Sequence, residues 1–261
     1  MTQSARTILS ENSSADEEQG VTTMAVDVDI KQLLEAGVHF GHKTSRWHPK
    51  MAQYIHSKRQ DSHIIDLTKT VEGLEKALAF LTKTTAAGKQ VLFVGTKRQA
   101  KEIVREVATD LGEPYVVDRW LGGMLTNVAT TTNQIRNLKS LESRMESGDL
   151  ANRYGKLEVQ RFAEEIEALN HKYGGIKDLN GQPGAVFITD VIEDANAIKE
   201  AKKLNIPVIA IVDTNANPDL VDYVIPANDD AIKGIKLILD YAAAAVREGK
   251  GSAKTQETEA K

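Results

Sequence analysis

The stretch His39–Lys50, HFGHKTSRWHPK, concentrates side chains that could do chemistry: His39, His42 and His48, the indole of Trp47, and the cations Lys43, Arg46 and Lys50. His39 and His42 form an H-x-x-H pair, which opens the question of a metal. A zinc site needs three or four ligands. No acid lies inside the motif and the chain has no cysteine, so the remainder would have to come from His48, His56 or a distant Asp. The other use of such histidines is to cap, stack and donate hydrogen bonds, and on that reading no metal and no cofactor is assigned. From Ala36 to Gln60 there is no Asp or Glu, although the whole chain carries 37 acids against 33 Lys and Arg. With Lys58 and Arg59 this run holds five cations, and it calls for an anion.

Two further places could hold chemistry. The segment VGTKRQ has one glycine, so it is neither a dinucleotide loop nor a Walker A sequence. It reads as a helix start with Lys97, Arg98 and Lys101 in the first turns, able to hold an isolated phosphate, or as a solvated helix end. Asp190 and Asp213 stand at strand ends, where magnesium or sugar contacts occur in open α/β sheets. Against catalysis there, Asp190 with Glu193 makes a capping pattern and Asn217-Pro218 a helix start.

Two more acid-free runs complete the pattern: Lys76–Lys101, and Arg119–Leu141 with Arg119, Arg136, Lys139 and the second tryptophan, Trp120. Segregated cations suit nucleic acid, because each one that neutralises a phosphate releases counterions, and an acidic total does not prevent it. Tryptophan and tyrosine among them suit stacking on unpaired bases. The RNA-binding candidates from charge and position are Lys43, Arg46, Trp47, His48, Lys50, Lys58, Arg59, Lys97, Arg98, Arg119, Trp120, Asn127, Arg136 and Lys139. The competing class is an α/β enzyme acting on a phosphorylated sugar or nucleotide in the strand-end crevice.

The elements that must position these groups follow from composition and period. A chain of 261 residues with 41% apolar content can build a real core. Without cysteine there is no disulfide framework and no thiolate nucleophile, which suits a reducing cytoplasm. Runs such as VLFV and VIAIV fall far short of a membrane span. Residues 1–27 are acidic and lack an apolar segment, and read as a disordered tail; residues 249–261 read as a second flexible tail.

Between them, short continuously apolar strands (QVLFVGT, PYVVD, AVFITD, PVIAIVD, DYVIP) alternate with amphipathic helices, which predicts a parallel sheet covered on both faces. The α/β domain spans 28–126 and 175–248. Residues 127–174 interrupt it: Val128, Thr131, Ile135, Leu138 and Met145, then Val159, Phe162, Ile166, Leu169 and Tyr173, keep a and d spacing apart from Glu142. This predicts an inserted antiparallel helical, coiled-coil hairpin whose two helices reach ~27 Å at 1.5 Å per residue.

The blocks LLEAGVHFGH, RWHPKM, IIDLTKTVEGLEKA, VLFVGTKRQA, RWLGGMLTN, GGIKDL, IPVIAIVDTN, PDLVDYVIPANDDAIKGIKLIL and VREG, in this order, resemble the bacterial form of the small-subunit ribosomal protein two family, from about Val28 to Gly249. The resemblance implies a flavodoxin-like three-layer α/β domain with an inserted helical hairpin. It implies a non-catalytic component of the small ribosomal subunit, placed between head and body. Its implied partners are small-subunit ribosomal RNA and neighbouring ribosomal proteins, including the large first protein of that subunit, with no membrane and no small-molecule substrate. The chain departs from the family pattern at YIHSKRQDSHIID, polar where many relatives carry a Gly-containing turn, and in its first 23 residues.

Overall fold

The computed structural model describes residues 28–259; the expected acidic tail, 1–27, lies outside them. Five strands form the parallel sheet: β4 (Val91–Val94), β5 (Tyr115–Val116), β6 (Ala185–Ile188), β7 (Val208–Val212) and β8 (Tyr223–Pro226), in the order β5-β4-β6-β7-β8. Numbered within the sheet this is 2-1-3-4-5, the order of flavodoxin-like doubly wound sheets, with the switch point between β4 and β6. The apolar runs serve two cores at once. Val91, Phe93, Phe187, Ile209 and Ile211 face one side, while Leu92, Val94, Val186, Ile188, Val208, Ala210 and Val212 face the other. A strand buried on both faces has no polar alternation to show, which is why these segments read as unbroken apolar runs.

The first core is closed by α1 (Ile30–Glu35), α2 (Leu67–Ala86), α3 (Lys101–Leu111) and α8 (Ile232–Glu259). Asp29 and Asp66 cap α1 and α2 by accepting from the backbone N–H of Lys31 and Thr68. Gly112 ends α3 at φ 63°, a left-handed cap that costs a glycine nothing. The second core is covered by α7 (Ala195–Lys203), by the RWLGGMLTN loop and by Met51. Helix α8 continues through Gly249 to Glu259, so the segment read as a tail from 249 is helical over most of its length.

The acid-free stretch, together with the residues just after it, folds as a second, antiparallel sheet: β1 (Phe40–Lys43), β2 (Ile55–Arg59) and β3 (Ser62–Ile65), in the order β1-β3-β2. Gln60 and Asp61 turn β2 into β3 with φ of 47° and 63°. This left-handed turn is made by two polar residues, of which Asp is among the non-glycine types that adopt it most readily. Between β5 and β6 the chain forms α4 (Val128–Glu146), α5 (Asp149–Arg153) and α6 (Lys156–Tyr173). Leu138, Leu141 and Leu150 are buried, α6 buries no residue fully, and Val128 is exposed. Glu142, the break in the apolar spacing, accepts from Asn170 Nδ2 at 2.7 Å and Lys177 Nζ at 2.6 Å. Burial alone would raise its pKa; the two donors outweigh it and hold the carboxyl below its ordinary value.

Candidate nucleic-acid interface

Lys43 closes β1, and Lys58 and Arg59 close β2. Lys43 and Arg59 both stand opposite Ser62 of the central strand, so the two exposed cations lie in one row across the small sheet. Interstrand spacing sets them roughly 10 Å apart at Cα. Arg46, exposed, belongs to the 3-10 turn Thr44–Arg46. Trp47 is 39% exposed and leans on His63 with ring centroids 5.2 Å apart, leaving an indole at the surface beside these cations. Burial lowers the pKa of His63, with the Lys58 charge adding to it, and burial also lowers that of His39. The positive charge of these two histidines therefore adds little to this patch. Lys50 is paired with Asp219, and Lys58 faces Asp61 at 3.7 Å. His48 caps the turn Pro49–Tyr54 through Nδ1, and its backbone N–H donates to the Thr214 carbonyl at 2.7 Å, tying the small sheet to the loop after β7.

Two candidates are engaged inside the fold. Lys97 does not start a helix, since α3 begins at Lys101; its Nζ lies 3.1 Å from Asp190, 2.7 Å from Asp229 and 2.7 Å from Asp230. Burial would lower its pKa, but the carboxylates outweigh that and keep it charged. An ammonium already held by three carboxylates has little left for a phosphate. Trp120 is only 7% exposed, and its indole N–H donates to Glu200 at 3.1 Å, so no face is offered to a base. A tryptophan among cations reads the same in sequence whether it stacks on a ligand or packs in the core.

The strand-end crevice is acidic. Asp190 accepts from the backbone of Ile192 and Glu193, but in the turn ahead of α7, whose N-cap is Asp194, so it does not form the expected capping box. Asp194 is buried, and burial pushes its pKa up to about 6 despite hydrogen bonds from Thr96. Asp229 rises to about 7, through burial first and then the charges of Asp190 and Asp213, with Lys97 pulling it down. His42 donates from Nδ1 to Asp213 at 3.0 Å, and its pKa is raised chiefly by that bond. His42, Asp229 and Asp230 could together hold a metal ion, whereas His39, the other half of H-x-x-H, is not part of that group. Asp190, Asp213, Asp229 and Asp230 gather at the strand ends around His42 and Lys97, and that lysine is already engaged by three of them.

Arg98 is exposed on the turn before α3. Arg119, Asn127, Arg136 and Lys139 are also exposed: Asn127 caps α4 by accepting from Thr130, and Lys139 pairs with Asp178 at 3.1 Å. The small sheet docks at the β7 and β8 end.

The residue that composition could not point to is Glu200 on α7. Its carboxylate accepts from Trp120 Nε1, from the backbone N–H of Gly123, Leu125 and Thr126, and from Thr126 Oγ1, at 2.7–3.1 Å. Burial would raise its pKa, yet these donors hold it below the ordinary value. The loop RWLGGMLTN is therefore wrapped around one carboxylate, and Gly123, at φ 89°, lets the backbone turn inward to it.

The sequence profile described as Ribosomal protein S2 matches residues 33–249, which takes in both sheets and the helices between β5 and β6. This chain belongs to that family. It is 52% identical over 222 residues to a small ribosomal subunit protein uS2 of Roseiflexus sp. (strain RS-1), covering 85% of this chain and 84% of the relative. It is 50% identical over 222 residues to that of Chloroflexus aggregans, covering 85% and 93%. Against that of Coprothermobacter proteolyticus it is 51% identical over 227 residues, covering 87% and 84%. The Ribosomal protein S2 family is structural, so the protein is no enzyme, in keeping with the acidic crevice. Among the described residues no helix is long and apolar enough to cross a membrane.

Proposed function

We propose that the protein is an RNA-binding structural component of the small ribosomal subunit, seated between head and body in the cytoplasm, with ribosomal RNA and neighbouring subunit proteins, including the large first protein, as partners. The carrying observation is the small sheet. Its two outer strands come from a stretch without acids, and it sets Lys43 and Arg59 in one exposed row beside Arg46 and Trp47. None of these three cations has an ion-pair partner among the described residues, so neutralising a phosphate breaks nothing else. Helices α4 and α6 act as an arm whose reach places Arg136 and Lys139 against a second site. The test is RNA affinity as a function of salt for a Lys43→Ala, Arg46→Ala, Arg59→Ala variant. Every phosphate that the variant no longer neutralises should flatten log K against log[salt] by about 0.7–0.9. A slope equal to that of the unmodified protein would remove the small sheet from the interface.

A further inference from the structure

At the foot of α6, on the β5 edge of the parallel sheet, lies a cleft of about 410 Å³, inside the ~300–1,000 Å³ range of small-ligand pockets. Its floor is the β5 strand end, Tyr115–Val117, and its wall is the turn of Gly174 and Gly175. The two elements are in close contact: a Cβ at Gly175 would fall on the Tyr115 carbonyl oxygen and 2.8 Å from its ring carbons. Only a glycine lets the turn lie this near, and the Tyr115 ring is held as part of the wall.

The charge of the lining decides what enters. Arg105, Arg119, Lys172 and Lys177 all contribute, against one acid, Asp118. Asp118 is engaged with Lys101 at 3.2 Å and faces His171 at 3.4 Å. Lys177 is held by Glu142, and Arg105 by Glu102 of its own helix. Arg119 and Lys172 are exposed and have no ion-pair partner among the described residues. The cleft thus has two unengaged cations, an aromatic wall and a polar floor, and it is the reverse in sign of the acidic strand-end crevice. A guanidinium and an ammonium from different elements, converging on a concave site with an aromatic ring, match a phosphate joined to a flat base.

We propose that this cleft takes one nucleotide of an unpaired RNA strand, with Arg119 and Lys172 on its phosphate and Tyr115 beside its base. The proposal rests on the RNA-binding reading and deepens it by naming a site for a single everted nucleotide. It adds Lys172, from an acid-rich helix that charge counting along the chain passes over.

The experiment titrates the ¹⁵N-labelled full chain with uridine 5′-monophosphate and, separately, with inorganic phosphate. The nucleotide should shift the amides of residues 115–119 and 172–177 in a saturable way. An Arg119→Ala, Lys172→Ala variant, altered at two exposed side chains, should bind it at least tenfold more weakly. Phosphate should shift a subset of the same amides with lower affinity. Phosphate binding as tight as the nucleotide, or shifts that survive in the variant, would overturn the proposal. A filter-binding arm with single-stranded and duplex RNA separates this site from the reading beneath it. Single-stranded RNA should lose affinity in the cleft variant more than duplex does. Undiminished RNA binding by that variant, with binding still lost in the Lys43, Arg46, Arg59 variant, sinks the cleft alone. An unmodified chain that binds neither RNA sinks the wider reading, while the nucleotide titration still decides whether the cleft holds a nucleotide.

Discussion

Replacing Glu200 by Ala should unfold the RWLGGMLTN loop from the second core before it affects anything else. The carboxylate accepts five hydrogen bonds from four residues of that loop. Two of the donors, the Trp120 indole N–H and the Leu125 amide, belong to buried residues, whereas Thr126 is exposed and Gly123 is half-buried. A buried donor left without a partner costs about 1–3 kcal/mol, while exposed donors turn to water at small cost. Two such donors give a loss of ~2–6 kcal/mol, and partial opening of the loop, which lets water in, sets the expected value near the middle at ~3–4 kcal/mol. The assay is urea unfolding in a Trp47→Phe background, which leaves Trp120 as the only tryptophan. The midpoint should fall, and the native-state emission of Trp120 should shift to the red. Glu200→Gln should lie between, since one oxygen still accepts while the amide N–H₂ confronts donors. If Glu200→Ala stays within about 0.5 kcal/mol of the parent, the ordinary scatter of surface substitutions, and Trp120 emission does not move, the loop is held by its apolar side chains and the carboxylate argument is wrong.

Three further outcomes follow from the same geometry. Lys97→Met removes the cation from Asp190, Asp229 and Asp230 and should cost about 3 kcal/mol near neutral pH, at the lower end for a broken buried pair because Asp230 is half exposed; equal stability in chemical denaturation would mean the carboxylates do not need it. Asp194 titrates at about 6 when folded, above its unfolded value, so its contribution is most favourable below the unfolded pKa and is lost as pH rises through the folded one. Asp194→Asn should therefore gain on the parent by up to about 3 kcal/mol between about pH 4 and 7, and a stability difference flat across that window would refute the raised pKa. Gly249→Ala would drive a Cβ onto Thr85 Oγ1 and 2.5 Å from the Thr82 carbonyl oxygen where α8 crosses α2; a loss of about 1–3 kcal/mol is expected from overpacking, and thermal unfolding at parental temperature would show that α8 can move aside.

What the sequence determined alone is what local pattern carries. The runs around Val91–Val94, Ala185–Ile188 and Val208–Val212 are apolar on both faces, and the helices between them keep their period, so a covered parallel sheet is legible without coordinates. Nine blocks in order are enough to reach the family. Acid-free runs mark where cations gather, because charge is written residue by residue.

Which cations are free is decided only by tertiary structure. Lys97 and Arg98 are neighbours in one block, yet one is enclosed by Asp190, Asp229 and Asp230 and the other is exposed. Trp47 and Trp120 sit in similar cationic company, yet one lies at the surface and the other is anchored by a glutamate 80 positions away. β1 and β2 escaped the sequence reading because their exposed, bulged and partly polar residues show no clean alternation; β3 pairs with both and so defines them. In each case the deciding partner is distant in sequence or hidden by irregular pairing. Coulomb and hydrogen-bond energies act over a few ångströms of space, and only the folded chain brings those ångströms together.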